Sequence, residues 1–547
     1  MASQSFDYII IGAGSAGSVV AGRLSESGKY SVCVLEAGPV DRNPFIHIPA
    51  GVLYTLKNPA INWMYKGAAG AGIGGRAIDQ ARGKTLGGSG SINGHIYNRG
   101  QRMDFDSWAQ KGNHGWGYAD VLPYFRRSEN KIGSGDQDFH GHDGPFTVTD
   151  IDEKHPLCDA FIDAAVSLGI PHNPDYNGRT QEGIAYAQRS VHRGRRVSPA
   201  RSFLYPAIRR GNTEVVTNAH VRQILIADKQ AVGVRYQRGG RTGPETTIRA
   251  NREVILCAGA IASPQLLQIS GIGAAQHLQE LAVPVIQDLA GVGENFRDHY
   301  AVRSVARIQG LATINEKTRG LGLVREVAKY ALWRRGALAL TPTLVYCFWK
   351  SHPGIDHGDI QLTFTPASYP HGVQSGLDRF PGATIACWQQ RSQSAGYVRA
   401  RSADPYDQPE IQANYLVEEE DRRILLAALR LSRQLLQANP FAAYVAEERW
   451  PGPTLQSDDE LLDHARQTGN TAYHPMGTCR MGPKDQPQTV VDDQLRVHGI
   501  AGLRVADASI MPMMPSANLN AGALMIGEKA ADMILGNPPL APQEIPA

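Results

Sequence analysis

The stretch Gly12-Ala13-Gly14-Ser15-Ala16-Gly17 decides the fold. It follows an apolar run at residues 8–11, which is typical of a buried strand, and it opens a segment of helical periodicity from residue 15 to about 27. A second strand is predicted over residues 31–35. A strand, a glycine turn, a helix and a second strand in this order predict a βαβ unit at the N-terminus.

The three glycines of this stretch suit a bound dinucleotide. Gly12 allows a tight turn, Gly14 lets a pyrophosphate approach the backbone, and Gly17 lets the helix pack closely against the strand. Glu36 ends the second strand 19 residues after Gly17, where a carboxylate can accept hydrogen bonds from an adenosine ribose. The pattern predicts a dinucleotide site but does not separate NAD from FAD.

The composition is that of an ordinary soluble globular enzyme. With 547 residues, the chain exceeds the length at which one hydrophobic core keeps growing, so two domains are expected. Apolar residues make up 42%, charged residues 20%, and the net charge of +3 indicates no nucleic-acid partner. The six cysteines are far apart and form no CxxC pair, so we expect reduced, mostly buried thiols and neither a disulfide framework nor a metal site.

The sequence predicts neither a secretory signal nor a spanning helix. The apolar residues 8–21 lack a preceding basic cluster, and no run reaches about 18 apolar residues. The best candidate for membrane contact is the basic, amphipathic segment 319–335. Such helices usually cover a soluble core. We therefore expect a cytoplasmic protein, with peripheral contact to the inner face of a membrane as the less favoured alternative.

Two further zones carry clear secondary-structure signals. A strand-rich zone in the middle of the chain is interpreted as an inserted sheet, with strands over residues 214–216, 223–227, 231–236 and 253–258. The C-terminal region ends with a short strand over residues 503–506 and a helix over residues 521–535, which Gly536 closes.

Two long segments resemble the signatures of the glucose-methanol-choline (GMC) oxidoreductases. The first is Gly83-Lys84-Thr85-Leu86-Gly87-Gly88-Ser89-Gly90-Ser91-Ile92-Asn93, and the second is Gly259-Ala260-Ile261-Ala262-Ser263-Pro264-Gln265-Leu266-Leu267-Gln268-Ile269-Ser270-Gly271-Ile272-Gly273. Further similar stretches are 198–201, 291–295, 298–299 and 473–478, so the resemblance covers nearly the whole chain.

The resemblance implies FAD and an α/β fold of the GMC, glucose-oxidase-like type. A Rossmann-like FAD-binding domain is expected to be interleaved with an α+β substrate domain built on an antiparallel sheet. The expected FAD-binding domain comprises residues 1–150, 213–305 and 471–540, and the substrate-binding domain comprises residues 151–212 and 306–470. In relatives with histidyl-linked FAD, the attachment histidine immediately precedes the position of Asn93. Ile92 stands there, so non-covalent FAD is expected.

The glycine motif and the resemblance together predict the residues that bind the cofactor. By resemblance, Val221 approaches the adenine through its backbone, and Asp507 holds the ribityl or phosphate region. His95 is a candidate neighbour of the flavin or substrate. The full predicted set is Gly12, Gly14, Ser15, Ala16, Gly17, Glu36, Gly83, Leu86, Gly87, Gly88, Ser89, Asn93, Gly94, Val221, Ala258, Asp507 and Ala508.

Alcohol oxidation requires a base, because a proton must leave oxygen while a hydride leaves carbon. Histidine suits the task through its pKa of about 6.5. Among the 17 histidines, the resemblance selects His474, and it places the second catalytic residue 44 positions later at Asn518. An amide cannot act as a base, but its NH₂ group can hydrogen-bond the developing alkoxide. Confusion with Asn520, or a helix N-cap role for either asparagine, remains open.

The substrate signals are weaker. Tyr473, with Trp388, Phe348 and Tyr346, suits an aromatic or aliphatic primary alcohol that is oxidised to the aldehyde, and no cage for a quaternary ammonium such as choline is evident. The expected electron acceptor is oxygen or a quinone-like compound, and the resemblance of the segment around His474 to choline-dehydrogenase-type members favours a dehydrogenase. A hydroxynitrile lyase and a light-driven fatty-acid decarboxylase are the alternative functions of a similar fold. The oligomeric state stays open.

Overall fold

The structure is a computed structural model that describes residues 4–369 and 376–543. Its helices in chain order are α1 (Ser15–Leu24), α2 (Pro44–His47), α3 (Val52–Thr55), α4 (Arg102–Gln110), α5 (Tyr118–Ser128), α6 (Pro156–Ser167), α7 (Tyr205–Arg210), α8 (Gly259–Ile269), α9 (Ala275–Glu280), α10 (Ile314–Lys317), α11 (Gly320–Trp333), α12 (Glu419–Gln437), α13 (Asp458–Thr468) and α14 (Leu519–Leu535).

The strands form two large sheets and several short pairs. In chain order they are β1 (Ser5–Ile11), β2 (Val32–Glu36), β3 (Ala69–Gly70), β4 (Arg76–Ala77), β5 (Glu129–Ile132), β6 (Phe146–Thr149), β7 (Gly183–Tyr186), β8 (Val191–His192), β9 (Arg195–Arg196), β10 (Thr213–Thr217), β11 (Ala219–Ala227), β12 (Gln230–Arg238), β13 (Glu245–Leu256), β14 (Ile272–Gly273), β15 (Gln287–Asp288), β16 (Glu294–Phe296), β17 (Tyr300–Ile308), β18 (Val345–Trp349), β19 (Ile360–Thr365), β20 (Gly382–Gln389), β21 (Gly396–Arg399), β22 (Glu410–Gln412), β23 (Val445–Trp450), β24 (Asn470–Thr471) and β25 (Leu503–Val505).

The first large sheet contains the predicted βαβ unit. Strands β10, β2, β1, β13 and β25 lie side by side in that order and are all parallel, as expected for a Rossmann-like sheet. Its central strands are continuous apolar runs because helices cover both faces of a parallel sheet. The predicted helix at residue 15 and the strands on either side of it are confirmed.

The predicted middle strands are present, but they do not form an inserted sheet of their own. Strand β10 pairs with β2, and β13 pairs with β1, so the middle zone extends the N-terminal sheet. Strand β13 is 12 residues long and makes this possible. Its partner β12 joins it in antiparallel fashion, and β11 follows β12 at the edge. Periodicity detected the strands, but their pairing depends on contacts that lie far apart in sequence.

Helix α14 packs against α1 and brings the C-terminus to the nucleotide turn. At Gly527, a Cβ atom would lie 2.8 Å from the carbonyl oxygen of Ala16, so only glycine permits this approach of the two helices. The helix begins at Leu519, two residues before the predicted start at residue 521. Its first turn therefore lies beside the glycines of the βαβ unit.

The second large sheet is antiparallel, as predicted for the substrate side. Its strand order is β23-β17-β20-β19-β18-β7. One face of the sheet packs on its own hydrophobic core, which includes Val302, Leu362 and Cys387. Residues at alternate positions point away from this core, because side chains in a strand alternate between the two faces. This second face forms one wall of the cavity described below.

The division into two domains stays a prediction. Strand β7 lies within the expected segment 151–212 and pairs with β18 of the antiparallel sheet. The expected boundary between residues 305 and 306 falls inside β17. Strand β17 belongs to the antiparallel sheet, so the expected boundary divides one of its strands.

Helix α11 differs from its expected role. We expected this basic segment to cover the core, but among its residues only Tyr330 is buried. Leu321, Val324, Leu332 and Trp333 are exposed by 88%, 64%, 69% and 66%. Its apolar side faces solvent and not the core, so the expectation was wrong. Within residues 4–369 and 376–543, no helix has the length and apolarity needed to span a bilayer.

All six cysteines are buried and free, as the sequence predicts. Burial raises the pKa of the thiols, for example that of Cys33 to about 12, so they are protonated at neutral pH.

Candidate active site

The glycine turn and Glu36 form a connected cradle. The Gly12 amide donates to the carbonyl of Leu35 (2.8 Å), which ties the turn to the end of β2. The Glu36 carboxylate accepts from the amides of Ala13 (3.0 Å) and Gly38 (2.8 Å). Burial raises the pKa of Glu36 to about 7. Hydrogen bonds from ribose hydroxyls would favour its ionised form.

The glycines of the turn differ in what a side chain would meet. Gly12 has a φ of +99°, and a Cβ atom there would lie 2.5 Å from the carbonyl oxygen of Cys257. At Gly17, a Cβ atom would lie 2.0 Å from the carbonyl oxygen of Gly12. At Gly14, the nearest protein atom would be 3.9 Å away, so the protein itself leaves room there. The space above Gly14 is what a pyrophosphate needs.

The segment from Gly83 to Asn93 packs directly on this turn. The Gly87 amide donates to the carbonyl of Ala13 (2.7 Å). A Cβ atom on Gly88, whose φ is +52°, would lie 2.7 Å from the Cα of Gly14. The two glycine segments therefore touch through backbone atoms alone. This arrangement explains why the first signature is so rich in glycine.

Asp507 links the second signature to the C-terminal region. One carboxylate oxygen accepts from the Gly259 amide (2.8 Å) and the Ser263 hydroxyl (2.6 Å), and the other accepts from the Ser509 amide (2.8 Å). The carboxylate positions the start of α8 against the cavity. Its residue also lines the cavity, as does its neighbour Ala508.

Most of the predicted cofactor residues line one large cavity. They are Gly12, Gly14, Ser15, Ala16, Glu36, Gly83, Gly88, Ser89, Asn93, Gly94, Val221, Ala258, Asp507 and Ala508. Gly17, Leu86 and Gly87 lie behind the wall and support it by packing. His95 is fully buried in the wall, and its Nε2 atom bonds the Pro49 carbonyl (3.0 Å).

His474 and Asn518 meet in the same cavity. The Asn518 Nδ2 group donates to His474 Nε2 at 3.0 Å, and the Tyr346 hydroxyl donates to Asn518 Oδ1 at 3.4 Å. On its other side, His474 Nδ1 lies 2.9 Å from His299 Nδ1. His299 Nε2 lies 2.6 Å from the carbonyl oxygen of Gln390. These contacts form a chain from Gln390 to Asn518.

This chain of hydrogen-bonding contacts determines which nitrogen of His474 carries a proton. The Gln390 carbonyl can only accept, so His299 Nε2 must donate to it. Burial lowers the pKa of His299 to about 4, so His299 is neutral and its Nδ1 is an acceptor. His474 Nδ1 must then carry the proton that it shares with His299. Burial, reinforced by His299 and Arg82, holds the pKa of His474 well below 6.5. His474 Nε2 is therefore an unprotonated base that faces Asn518.

The two asparagines at the start of α14 have different partners. Asn518 occupies the N-cap position, but its side chain makes no capping hydrogen bond and points to His474 instead. Asn520 Oδ1 accepts from the Ser15 hydroxyl at 2.7 Å. Asn518 is thus the asparagine beside the base, whereas Asn520 ties α14 to the nucleotide turn.

Sequence reasoning did not assign roles to His299 and Gln390. His299 lies in a short family-like stretch, but its contact with His474 spans 175 residues. Nothing local to Gln390 indicates that its backbone carbonyl orients a ring. Of the aromatic residues expected around the substrate, Tyr346, Trp388 and Tyr473 line the cavity. Phe348 does not, since it packs against Tyr176 in the core.

Sequence comparison matches the GMC oxidoreductase patterns to residues 6–301 and 392–527. The chain belongs to the GMC oxidoreductase family. It is 41% identical over 535 residues to a protein named oxygen-dependent choline dehydrogenase from Brucella ovis. The alignment covers 98% of this chain and 96% of that relative. A protein of the same name from Photobacterium profundum is 40% identical over 549 residues and covers 100% of this chain and 95% of its own.

Solved structures of flavin-dependent oxidases resemble this chain over nearly its whole length. Pyridoxine 4-oxidase from Mesorbium loti has a TM-score of 0.85 and 30% identity, covering 96% of this chain and 98% of its own. A formate oxidase variant from Aspergillus oryzae RIB40 has a TM-score of 0.89 and 27% identity, covering 97% and 98%. The predicted GMC fold and FAD cofactor are thereby confirmed, and the protein is an FAD-dependent alcohol oxidoreductase.

The residues present fit FAD. The cradle combines an open approach at Gly14 with a buried carboxylate at Glu36, and the cavity continues from there to His474. The glycine pattern alone did not separate NAD from FAD, and the family membership decides this point.

Two substitutions should separate folding from cofactor binding. We expect Gly17→Ala to lower the free energy of unfolding by about 2 kcal/mol or more, because its Cβ atom would lie 2.0 Å from the Gly12 carbonyl oxygen. Gly14→Ala should unfold like the parent as apoprotein but retain little FAD. Thermal unfolding and the ratio of flavin to protein absorbance measure the two effects. Normal FAD content in Gly14→Ala would contradict the assigned pyrophosphate position.

The depressed pKa of His474 predicts the pH dependence of flavin reduction. A base acts only when unprotonated, and a pKa well below 6.5 keeps His474 neutral through the physiological range. The rate of flavin reduction should therefore be constant from about pH 8 to about pH 6.5 and fall only at lower pH. Anaerobic stopped-flow measurements across this range test it. A fall centred above about pH 6.5 would show that His474 is not held neutral.

Proposed function

We propose that the enzyme oxidises a primary alcohol to the aldehyde, with His474 as the general base. The observation that supports this role is the unprotonated Nε2 of His474, fixed by the chain through His299 to the Gln390 carbonyl. A substrate hydroxyl at this position donates its proton to His474 Nε2. Bound FAD supplies the hydride acceptor at its N5 atom. A positioned base of this kind typically contributes about 10² to 10⁴ in rate.

Asn518 orients the reacting hydroxyl in this proposal. Its Nδ2 group lies 3.0 Å from His474 Nε2, and Tyr346 holds its carbonyl oxygen from the other side at 3.4 Å. The amide therefore presents a fixed donor beside the base. A fixed donor stabilises negative charge as the alkoxide develops and needs no reorganisation when the proton moves.

The wall around the pair supports an aromatic or aliphatic substrate. Trp388 lies with its ring centroid 6.4 Å from that of His474. Tyr346, whose hydroxyl bonds Asn518, also lines the cavity. Flat apolar surfaces favour an apolar substrate body over a sugar.

We propose that FAD is held without a covalent bond. Ile92 lines the cavity at the position before Asn93, and its side chain has no group that can form a bond to flavin. Asn93 is held by Arg196 through both its side-chain and main-chain oxygens (2.7 and 2.8 Å). In this proposal, non-covalent contacts with the cradle alone retain FAD.

The proposed electron acceptor is quinone-like, and helix α11 is the proposed contact with the membrane that would hold it. The exposed residues Leu321, Val324, Val327 and Leu332 recur along one side of α11. Arg319, Arg325, Lys329, Arg334 and Arg335 lie in or next to the same helix. This pattern is that of a helix that lies in an anionic membrane surface. A cytoplasmic protein with peripheral membrane contact is consistent with it.

Flavin bleaching tests the division of roles between the two residues. His474→Ala should bind FAD normally and reduce it about 10² to 10⁴ times more slowly in anaerobic mixing with a reactive alcohol. Asn518→Ala should lose about tenfold, because it removes one hydrogen bond to a charged group. Asn251→Ala is the matched control and should stay near the parent, because Asn251 is exposed and lies outside the cavity wall. The reverse order of the first two losses would refute the roles.

The same experiment separates the proposed oxidation from the alternative functions. Benzylic, aliphatic and amino alcohols are mixed with the yellow protein without oxygen. Alcohol oxidation would be contradicted if none of these alcohols bleached the flavin. It would also be contradicted if the protein cleaved a cyanohydrin, or decarboxylated a fatty acid in light, without net flavin reduction. Admission of oxygen then distinguishes an oxidase from a dehydrogenase through the rate of flavin reoxidation.

Vesicle binding tests the contact through α11. The parent should co-sediment with vesicles of phosphatidylglycerol more than with vesicles of phosphatidylcholine. The double variant Leu321→Gln/Trp333→Gln should bind at least about tenfold more weakly, because each residue loses apolar burial. Tyr54→Gln is the control, since Tyr54 is 61% exposed but lies outside α11. Equal binding by the parent and the double variant would exclude this surface.

A further inference from the structure

The antiparallel sheet contributes a cation to the cavity wall. Arg303 lies on β17 and lines the cavity. Within the described residues, its guanidinium makes no ion pair and no side-chain hydrogen bond. The other arginine in the wall, Arg82, is held by hydrogen bonds to the carbonyls of Ala81 and Tyr473. Arg303 is thus the cavity's uncommitted cation in the part of the chain that the structure describes.

The register of the sheet places Arg303 on the same face as the catalytic pair. Arg303 is opposite Ala386, Ala386 is opposite Thr363, and Thr363 is opposite Tyr346. Directly opposed residues point to the same side of a sheet, and all four line the cavity. Tyr346 is the residue that bonds Asn518. Three strand spacings, roughly 14 Å, separate the backbone of Arg303 from that of Tyr346.

The acidic residues of the cavity cannot neutralise this cation. The described carboxylates in the wall are Glu36 and Asp507, and backbone amides already occupy both. Burial lowers the pKa of Arg303, which reflects the cost of holding an unpaired charge there. A guanidinium presents a planar fork of donors that matches a carboxylate.

We propose that Arg303 binds a carboxylate on the substrate, so that the enzyme oxidises an alcohol with an anionic group at the end remote from its hydroxymethyl carbon. This inference rests on the proposed alcohol oxidation. It also sets the enzyme apart from relatives named for choline, because a quaternary ammonium would meet a cation here and no free carboxylate. The charge of the wall, together with its aromatic rings, indicates an aromatic or aliphatic hydroxy acid.

Binding of unreactive probes tests the inference without turnover. The holoenzyme is titrated with 4-methylbenzoate and with 4-methylbenzamide, and flavin absorbance reports the affinity of each. We expect the anion to bind at least about tenfold more tightly than the neutral amide. In Arg303→Gln this ratio should fall to about one, and in Arg303→Lys it should be partly retained. Arg307→Gln is the matched control on the same strand, since Arg307 is exposed and lies outside the cavity wall.

Reduction of the flavin gives a second readout. In the parent, 4-(hydroxymethyl)benzoate should reduce the flavin with at least about tenfold higher efficiency than 4-methylbenzyl alcohol or choline. Equal binding of the two probes by the parent, an unchanged ratio in Arg303→Gln, or a preference for choline would each overturn the inference. Failure of every alcohol to reduce the flavin would instead contradict the proposed function, while the probe titrations would still decide the role of Arg303.

Discussion

One buried carboxylate, Asp298, holds the segment that carries His474 in place. Its Oδ1 atom accepts from the backbone amides of His299 and His474 at 2.8 Å each, and Oδ2 accepts from the hydroxyls of Tyr415 and Thr471. Burial raises the pKa of Asp298, so these donors are needed to keep it satisfied. The segment with His474 belongs to no helix or strand, and the two histidines keep their relative position because one group binds both amides.

The active site combines two sheets with different tasks. The parallel sheet and the two glycine segments form a backbone surface at the cavity, in which Gly88 lies too close to Gly14 to carry a side chain. The antiparallel sheet supplies side chains to the cavity wall, including Tyr346, Trp388 and Arg303. The proposed catalytic residues, His474 and Asn518, come from neither sheet. His474 lies on the irregular segment after β24, and Asn518 lies at the start of α14, where both surfaces meet.

Local signals made the cofactor side predictable from sequence. The glycine turn, Glu36 and the strand-helix-strand order depend on neighbours within about 30 residues, and the structure has all of them in place. Features that depend on distant contacts were not predictable. The middle strands joined the first sheet through β13, His299 reached His474 across 175 residues, and α11 exposed the apolar side that was expected to face the core. Asn518 and Asn520 are alike in sequence, and only their partners separate them.

The central claim is that the chain from Gln390 leaves His474 Nε2 unprotonated, and a neutron diffraction structure of the deuterated enzyme tests it most directly. The expected result is deuterium on His299 Nε2, toward the Gln390 carbonyl, and on His474 Nδ1, toward His299. His299 Nδ1 and His474 Nε2 should carry none, and the Asn518 amide should point a deuterium at His474 Nε2. Deuterium on His474 Nε2 would contradict the account, because the residue could not then accept the proton of the substrate.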